Sequence, residues 1–466
     1  MKKCLATWQE LSSSNVRSES ILQVLRRVAG ACIQFMRANG SRFECMEKLE
    51  AKLSIPRVNV SKLRDWFGGV KNFPQVDQLV QVAESGVPVH VAGTGDMEAA
   101  LQYSNHTSVD RYSSEILRKI RDDVQWGRAF VFPCSAAGEI PGLRLSPLGV
   151  VTSASKTRVI HDLTFLSTTS STSVNGDTDF ATAPTCKLGH VLRDIVWRIL
   201  YLRKRFGTMA RIVLSKMDVK DAFRQVAVEW ARSPVFGYRF RDLVVVDRRL
   251  QFGWRNSPGF WCLFAAALEH AHVRTSYLDA IVTPQGRRAT QQVVMQPHGM
   301  TNPSPLPQSC QVPPGQGGGV RDPYFVRYYV DDGVLVEVQW FPKGDRCLRA
   351  SASLASDHFR LFGDRQPSDP LLSPTKISSW DTHIEVLGWV IDTVAMTISL
   401  PQAKLGKLHD LLLEWPVDRR QASESELRSL AGKLFHVRSC TAREILCASN
   451  AQPAGNAVCR TVAGEV

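Results

Sequence analysis

Long apolar runs are missing from this chain. No stretch of about 18 apolar residues occurs, which excludes a membrane-spanning helix. The basic start, Met1–Asn15, is followed by no apolar run of the kind found in signal peptides. The 11 cysteines form no Cys-x-x-Cys pair and no zinc knuckle, and no Asp-Thr/Ser-Gly protease box is present. We therefore expect an intracellular protein with reduced thiols and no membrane partner.

Acidic residues are outnumbered by basic ones. The 466 residues include 57 Lys and Arg against 44 Asp and Glu, a formal net charge of +13. An excess of cations replaces the counterions that condense on phosphates, so nucleic acid is the leading partner. Charge alone leaves a merely basic protein as the alternative. Hydrophobic residues make up 44% of the chain, which is enough for a large core.

Strand and helix patterns alternate irregularly along the chain and predict an α+β fold of about three domains. Residues 283–323 are rich in Pro, Gly and Gln and predict a long connection. The clearest predicted helices are Ser113 to about Gly127, Gly189–Arg205, Pro258–Val273 and Cys347–Phe362. The clearest predicted strands are Arg211–Val219, Leu243–Asp247, Tyr324–Glu337, and a hairpin of Glu385–Thr393 with Ala395–Leu400.

Two acidic motifs carry the chemistry. The apolar strand Ile212–Leu214 leads directly to Asp218, and two strand-like runs flank Asp331-Asp332-Gly333, which predicts a hairpin turn. Adjacent carboxylates repel one another unless a cation lies between them. Mg²⁺ takes carboxylate oxygens together with phosphate and water. Two such ions about 4 Å apart activate a hydroxyl nucleophile and stabilise a leaving group.

Each motif taken alone has a simpler interpretation. Asp-Asp-Gly also occurs in ordinary solvated turns, and an Asp at the end of a strand is often a helix cap. The pair of motifs, in this order along the chain, instead predicts a two-metal site with Asp218 and Asp331 as the principal ligands.

Several further segments resemble the motifs of reverse transcriptases. Tyr329-Val330-Asp331-Asp332 resembles their Tyr-x-Asp-Asp box, and Met217–Phe223 resembles the first palm motif. The other similar segments, in family order, are Lys156–Leu163 (fingers), Leu250–Pro258 (second palm motif) and Glu385–Val390 (primer-grip hairpin). The residues at these motifs resemble those of retrotransposon enzymes, most of all the enzymes of tyrosine-recombinase elements of the DIRS type. Gln251 stands where many relatives have Pro.

The resemblance implies a role for each matching residue. Asp218 and Asp331 would ligate both metals, with Asp332 in support. The backbone of Asp221 and Ala222 would bind the triphosphate, and the ring of Phe223 would exclude a 2′-hydroxyl. The remaining nucleotide-binding residues implied are Lys156 and Arg158 at the triphosphate, Gly253 beside template and base pair, and Lys376 as proton donor to pyrophosphate.

The resemblance also implies a right-hand polymerase with fingers, a mainly antiparallel palm and a helical thumb. The expected domains are an N-terminal segment of unknown role (1–104), fingers (105–190), palm (191–400), thumb and connection (401–449) and a disordered tail (450–466). The expected reaction is extension of a primer with dNTPs on an RNA or DNA template, with two Mg²⁺ ions for which Mn²⁺ can substitute. The oligomeric state is left open. Two alternatives remain at this point: an RNA-dependent RNA polymerase, which Phe223 disfavours, and an inactive nucleic-acid-binding relic.

Overall fold

The computed structural model describes residues 2–12, 18–52, 57–67, 75–93, 97–153, 156–166, 172–186, 188–275, 323–339, 346–363, 369–415, 419 and 421–441. The helices are α1 Lys2–Gln9, α2 Ser18–Arg37, α3 Met46–Lys52, α4 Val60–Phe67, α5 Val76–Ser85, α6 Met97–Gln102, α7 Ser108–Arg111, α8 Ser113–Gln125, α9 Val174–Asp177, α10 Val191–Phe206, α11 Ser257–Thr275, α12 Arg346–Phe362, α13 Gln402–Leu413 and α14 Glu424–Thr441. The strands are β1 Ala129–Pro133, β2 Leu148–Ser153, β3 Lys156–His161, β4 Arg211–Asp218, β5 Gly237–Phe240, β6 Leu243–Asp247, β7 Val326–Tyr329, β8 Asp332–Gln339, β9 His383–Val386, β10 Trp389–Asp392 and β11 Thr397–Ser399.

The chain divides into two compact units, each made of segments that are far apart in sequence. The first consists of Met1–Cys186, Lys220–His270 and Asp357–Leu371. The second consists of Lys187–Val219, Ala271–Ser356 and Leu372–Val466. The expected boundaries of fingers, palm and thumb stay a prediction.

The first unit has a three-stranded antiparallel sheet in the order β1-β6-β5. Strand β6 is buried along its whole length, which agrees with its uninterrupted apolar sequence. Helix α2 contributes Ile21, Leu25 and Val28 to the same core, at the spacing of one helix face. The core therefore joins the N-terminal helices to this sheet.

A separate two-stranded sheet in the first unit pairs β2 with β3. Its register places Arg158 opposite Val151, and both side chains are exposed. Its other end is buried, where Leu148 pairs with His161. The two strands thus extend outward from the core and carry a basic side chain on the exposed part.

The second unit has an antiparallel sheet in the order β4-β8-β7. Helix α10 packs on it through a buried stripe at helical spacing, Val191, Ile195, Ile199 and Leu202. Apolar residues of β4 and β8, including Ile212 and Val336, complete this core. The sheet therefore has one face that is held by a helix.

The hairpin predicted for Glu385–Thr393 with Ala395–Leu400 is confirmed, because Val390–Asp392 pairs antiparallel with Thr397–Ser399, but its first segment is not a single strand. The chain turns earlier, at Leu387 and Gly388, whose φ angles are 50° and 84°. Strand β10 therefore pairs with β9 on one side and with β11 on the other. Two successive positive φ angles are typical of the tight turn that joins adjacent strands of a hairpin.

The fold class predicted from the sequence is confirmed at a coarse level, because the described residues form helices together with small antiparallel sheets. No helix among the described residues is long and apolar enough to cross a membrane. The predicted connection at 283–323, apart from its last residue, and the tail at 450–466 lie outside the described residues.

Candidate active site

The two acidic motifs meet in the sheet of the second unit. Strands β4 and β8 pair antiparallel, with Asp218 opposite Asp332 and Met217 opposite Gly333. The apolar residues of strand β4, Ile212, Val213, Leu214 and Met217, are buried, so the core fixes the position at which Asp218 ends the strand. Carboxylates from two separate sequence motifs therefore occupy facing positions at one end of the sheet.

The turn between β7 and β8 is not the Asp-Asp-Gly turn that the sequence predicted. Tyr329 pairs with Asp332, so the turn consists of Val330 and Asp331. Val330 has a φ of 56°, which is rare for a β-branched residue and indicates local strain. Asp331 is thereby placed at the tip of the hairpin and Asp332 at the first position of a strand.

Gly333 serves close packing within the sheet. A Cβ atom at this position would lie 2.9 Å from Cε1 of Tyr328 and 3.2 Å from the carbonyl oxygen of Met217. The absence of a side chain lets the ring of Tyr328 lie across the strand. The sequence had suggested a turn residue here instead.

Backbone hydrogen bonds fix the acidic turn to the end of β4. The N–H of Val219 donates to the carbonyl oxygen of Asp331 at 3.2 Å. The N–H of Ser373 donates to the carbonyl oxygen of Asp218 at 2.9 Å. The segment that follows Ser373 contains Lys376, so these bonds assemble all four second-unit site residues predicted from the sequence.

Lys376 forms an ion pair with Asp218, with 2.5 Å between Nζ and Oδ1. Burial of Asp218 raises the pKa of its carboxyl to about 6; Lys376 opposes this shift, and the charges of Asp331 and Asp332 add to it. Burial also acts against the charged amine of Lys376, but the bond to Asp218 and the three nearby carboxylates outweigh it and raise that pKa. The cluster therefore brings three carboxylates and one lysine close together.

The donor set fits Mg²⁺ in one particular way. Mg²⁺ is usually held by one or two carboxylates, with water and substrate phosphate completing the shell. Asp218 and Asp331, with Asp332, supply such oxygens. Among the described residues, no three His, Cys, Asp or Glu side chains form a ready-made cage for an ion. Binding of Mg²⁺ by these carboxylates stays a prediction.

The first unit contains an aromatic pair in the two palm-like motifs. The ring of Phe223 is 5% exposed and lies 4.9 Å from the ring of Phe252, centroid to centroid. Phe252 is 65% exposed, which is unusual for a large apolar side chain. We had not selected Phe252 from the sequence, although its place in Gln251-Phe252-Gly253 next to a predicted site residue was a usable signal.

Asp221 and Ala222 begin a short turn that leads to the aromatic pair. Asp221 is left-handed, with φ 49° and ψ 47°, and a single 3-10 turn follows at Ala222–Gln225. The first N–H groups of such a turn have no partner within it. Their direction toward a phosphate stays a prediction.

Close packing against the backbone of His161 explains why residue 253 is a glycine. A Cβ atom there would lie 2.4 Å from the carbonyl oxygen of His161, at the end of β3. Asn175, which the sequence analysis did not select, strengthens this junction because its Nδ2 donates to the carbonyl oxygen of Gly253 at 2.8 Å. Contact of Gly253 with a template stays a prediction. This junction packs the end of β3 against the segment that contains Phe252. Strand β3 also carries Arg158 and Lys156, and the side chain of Lys156 lies outside the described residues.

Buried ion pairs support the residues next to Phe223. The guanidinium of Arg224 is 4% exposed and pairs with Asp123 at 3.2 Å and with Asp247 at a shorter distance. Burial disfavours its charge, but the two carboxylates outweigh that effect and raise the pKa of Arg224. Arg128 and Asp369 form a second buried pair at 2.6 Å. Arg224, the residue after Phe223, is therefore held by ion pairs with Asp123 on α8 and Asp247 on β6.

Comparison with known proteins gives three results. No family model matches the chain, and no curated protein matches it. Solved structures that match include three of the foamy viral protease-reverse transcriptase. The complex of a dRH form with double-stranded DNA is 13% identical with a TM-score of 0.41, covering 97% of this chain and 56% of that one. A second complex with double-stranded DNA is 14% identical (TM-score 0.40, 82% and 63%), and an RNA/DNA hybrid complex is 12% identical (TM-score 0.41, 82% and 40%). The chain thus spans about half the length of these structures, and at such scores the likeness does not define its family.

Proposed function

We propose that this chain is the polymerase part of a retrotransposon reverse transcriptase, an RNA-directed DNA polymerase of the right-hand type. The observation that carries the proposal is the register that sets Asp218 opposite Asp332, beside Asp331 at the tip of a strained hairpin. Two motifs separated by more than a hundred residues supply carboxylates to one place, as nucleotidyl transfer requires. The charge of +13 fits a nucleic-acid partner.

The acidic cluster is the proposed centre of the reaction. Asp218 and Asp331, with Asp332 in support, would hold two Mg²⁺ ions, which lower the pKa of a primer 3′-hydroxyl and stabilise the departing pyrophosphate. Strand β4 and the β7–β8 turn keep the carboxylates in place before substrate arrives. The backbone that carries the carboxylates therefore needs no reorganisation at the moment of reaction.

Lys376 has two connected roles in this proposal. Its ammonium neutralises Asp218 while the substrate is absent. Its side chain is 52% exposed, so it can leave the carboxylate for a phosphate. There it would donate a proton to the pyrophosphate leaving group, the role of a general acid.

Residues of β3 and of the two palm-like motifs would bind the incoming nucleotide. Backbone N–H groups of Asp221 and Ala222 would hold the triphosphate, and Arg158 and Lys156 would neutralise it. Phe223, with Phe252 beside it, would lie under the sugar and exclude a 2′-hydroxyl by volume. The substrate would then be a dNTP, which disfavours an RNA-dependent RNA polymerase.

Primer extension on an RNA template tests the proposal. The full chain should extend a DNA primer with dNTPs in the presence of Mg²⁺ and should fail with a chelator. Asp218→Asn and Asp331→Asn remove a charge but little volume, so each should slow extension roughly 100-fold or more while the fold is retained.

A matched control removes a carboxylate of the same kind elsewhere. Asp65 is exposed on α4 and pairs only with Lys62 among the described residues. Asp65→Asn should leave extension unchanged. If Asp218→Asn and Asp331→Asn keep a tenth or more of the wild-type rate, or if the wild-type chain extends nothing, the proposed function is wrong.

A further inference from the structure

Two free cysteines lie in contact in the first unit. Sγ of Cys186 and Sγ of Cys262 are 2.7 Å apart, although the residues are 76 positions apart in sequence. Non-bonded carbon atoms in contact stay about 3.5–4.0 Å apart, and sulfur is larger. A disulfide has an S–S distance of about 2.0 Å. The two thiols are therefore closer than ordinary packing brings them.

The backbones that carry the two cysteines are held together independently of the sulfur atoms. A Cβ atom on Gly259, three residues before Cys262, would lie 2.4 Å from the carbonyl oxygen of Pro184. Asn256 donates from Nδ2 to the carbonyl oxygen of Asp179 at 3.0 Å. The segment at 179–186 thus packs against the start of α11, and this packing keeps the two thiols close together.

We propose that Cys186 and Cys262 are a site of oxidative modification, at which hydrogen peroxide converts the two thiols into a disulfide. One thiolate attacks the peroxide, breaks its O–O bond, and becomes a sulfenic acid while the other peroxide oxygen leaves as water. The second thiol then attacks that sulfur and displaces a second water. The thiols lose two protons and two electrons, and the peroxide is reduced to two waters.

The contact also separates the roles of the two cysteines. The hydrogen bond between the two thiols lowers the pKa of Cys186 in spite of burial and, together with burial, raises the pKa of Cys262. The thiolate is the reactive form of cysteine. We therefore expect the oxidant to react first at Cys186 and Cys262 to resolve the sulfenic acid.

The other described cysteines lack this arrangement. Cys32, Cys45 and Cys347 are buried, and burial raises the pKa of Cys45 and Cys347. Cys134 is half-buried like the pair, but its Sγ contacts the carbonyl oxygen of Arg241 at 3.8 Å and burial raises its pKa. Within the described part of the chain, oxidation should therefore select Cys186 and Cys262.

The bond would link the segment at 179–186 covalently to α11. A cross-link across 76 positions restricts the unfolded chain strongly, so the oxidised protein should be more stable than the reduced one. This inference does not depend on the proposed polymerase function.

Peptide mapping after mild oxidation tests the inference. The full reduced chain is exposed to dilute hydrogen peroxide, the remaining thiols are alkylated, and the digest is analysed without reduction. We expect a linked peptide pair containing Cys186 and Cys262, lighter by two hydrogen atoms than the separate peptides. The melting temperature should rise by about 5 °C or more on oxidation.

Three variants complete the experiment. Cys186→Ser and Cys262→Ser should each abolish the linked peptide and the rise in melting temperature. Cys262→Ser should also leave a sulfenic acid on Cys186 that a dimedone probe traps. Cys134→Ser should behave as wild type. The proposal is overturned if Cys186 and Cys262 are both still alkylated after oxidation, or if either is joined to a different cysteine of the same or another chain.

Discussion

Lys376, with a side chain that is 52% exposed, donates its hydrogen bond to Asp218, a residue that is 3% exposed. An exposed lysine thus lies against a buried carboxylate of the acidic cluster. In the proposed function this carboxylate would also hold a divalent cation. Lys376 and Mg²⁺ should therefore compete for Asp218.

Lys376→Met removes that competitor and the proposed proton donor together. We expect the Mg²⁺ concentration for half-maximal extension to fall several-fold, while the maximal rate falls about tenfold or more. Titration of Mg²⁺ in a primer-extension assay measures both quantities. Lys62→Met, which removes an exposed lysine on α4, is the control. A lower rate with an unchanged or higher Mg²⁺ requirement contradicts the competition.

Phe223→Val should reduce the preference for dNTP over NTP while the enzyme still polymerises. Loss of a steric clash of about 1.4 kcal/mol changes a rate ratio tenfold, so a decrease of this size or more is expected. Phe252→Ala should act in the same direction, because its ring lies against that of Phe223. Single-nucleotide incorporation with both substrates is the measurement. Phe180 is exposed like Phe252 but belongs to neither palm-like motif, so Phe180→Val is the control. Unchanged selectivity in a folded, active Phe223→Val protein would show that the ring only fills the core.

Arg224→Met should be costly because it removes the ion pair of buried Asp247 and leaves buried Asp123 with Lys119. Breaking a buried ion pair costs about 3–5 kcal/mol in the free energy of unfolding. The exposed pair of Arg26 with Asp242 is the matched comparison, and Arg26→Met should cost about 0–1 kcal/mol. Urea unfolding of the two variants gives the difference. Similar losses for both would mean that the Arg224 pairs are no better shielded from water than a surface pair.

His161 should make stability depend on pH. Burial lowers its pKa from 6.5 to about 4, so the folded protein keeps the imidazole neutral where the unfolded chain binds a proton. Its contribution to stability is therefore complete above pH 6.5 and is lost as the pH falls toward 4. The loss amounts to roughly 3 kcal/mol, since one pKa unit is about 1.4 kcal/mol.

His161→Gln isolates this effect from the titration of acidic residues. Glutamine does not titrate, and its amide can still donate to the carbonyl oxygen of Gly237, which His161 Nε2 contacts at 3.0 Å. Urea unfolding between pH 7 and 4 should show a shallower decline for the variant than for wild type. Parallel curves would mean that His161 is not shielded from protons in the folded state.

Local sequence patterns predicted the elements that depend on local physics. Leu243–Asp247 and the end of β4 at Asp218 follow directly from apolar runs with a polar boundary. The turn at Val330 and Asp331 did not, because turn propensity favours Asp-Asp-Gly and disfavours a β-branched residue at positive φ. The pairing of Tyr329 with Asp332 overrides that preference. Register is decided by contacts across the sheet, which a local pattern does not contain.

The same limit applies to residues whose role comes from distant partners. The proximity of Phe223 to Phe252 and the junction of Asn175 with Gly253 bring together positions that lie far apart in the sequence. The motifs indicated which segments matter, but not which side chains of those segments touch. Cys186 and Cys262 show this most clearly, since neither has a motif around it.

The pair of Arg128 with Asp369 has a consequence for synthesis on the ribosome. The two residues are 241 positions apart, and the first unit takes its last segment from Asp357–Leu371. Translation proceeds at about 5–20 residues per second, so Asp369 is synthesised on the order of 10–50 seconds after Arg128. During that interval Arg128 has no counter-ion from this segment, and the first unit lacks its last segment. Nascent chains shorter than this point should therefore depend on chaperones, and premature termination before residue 369 should yield an insoluble product.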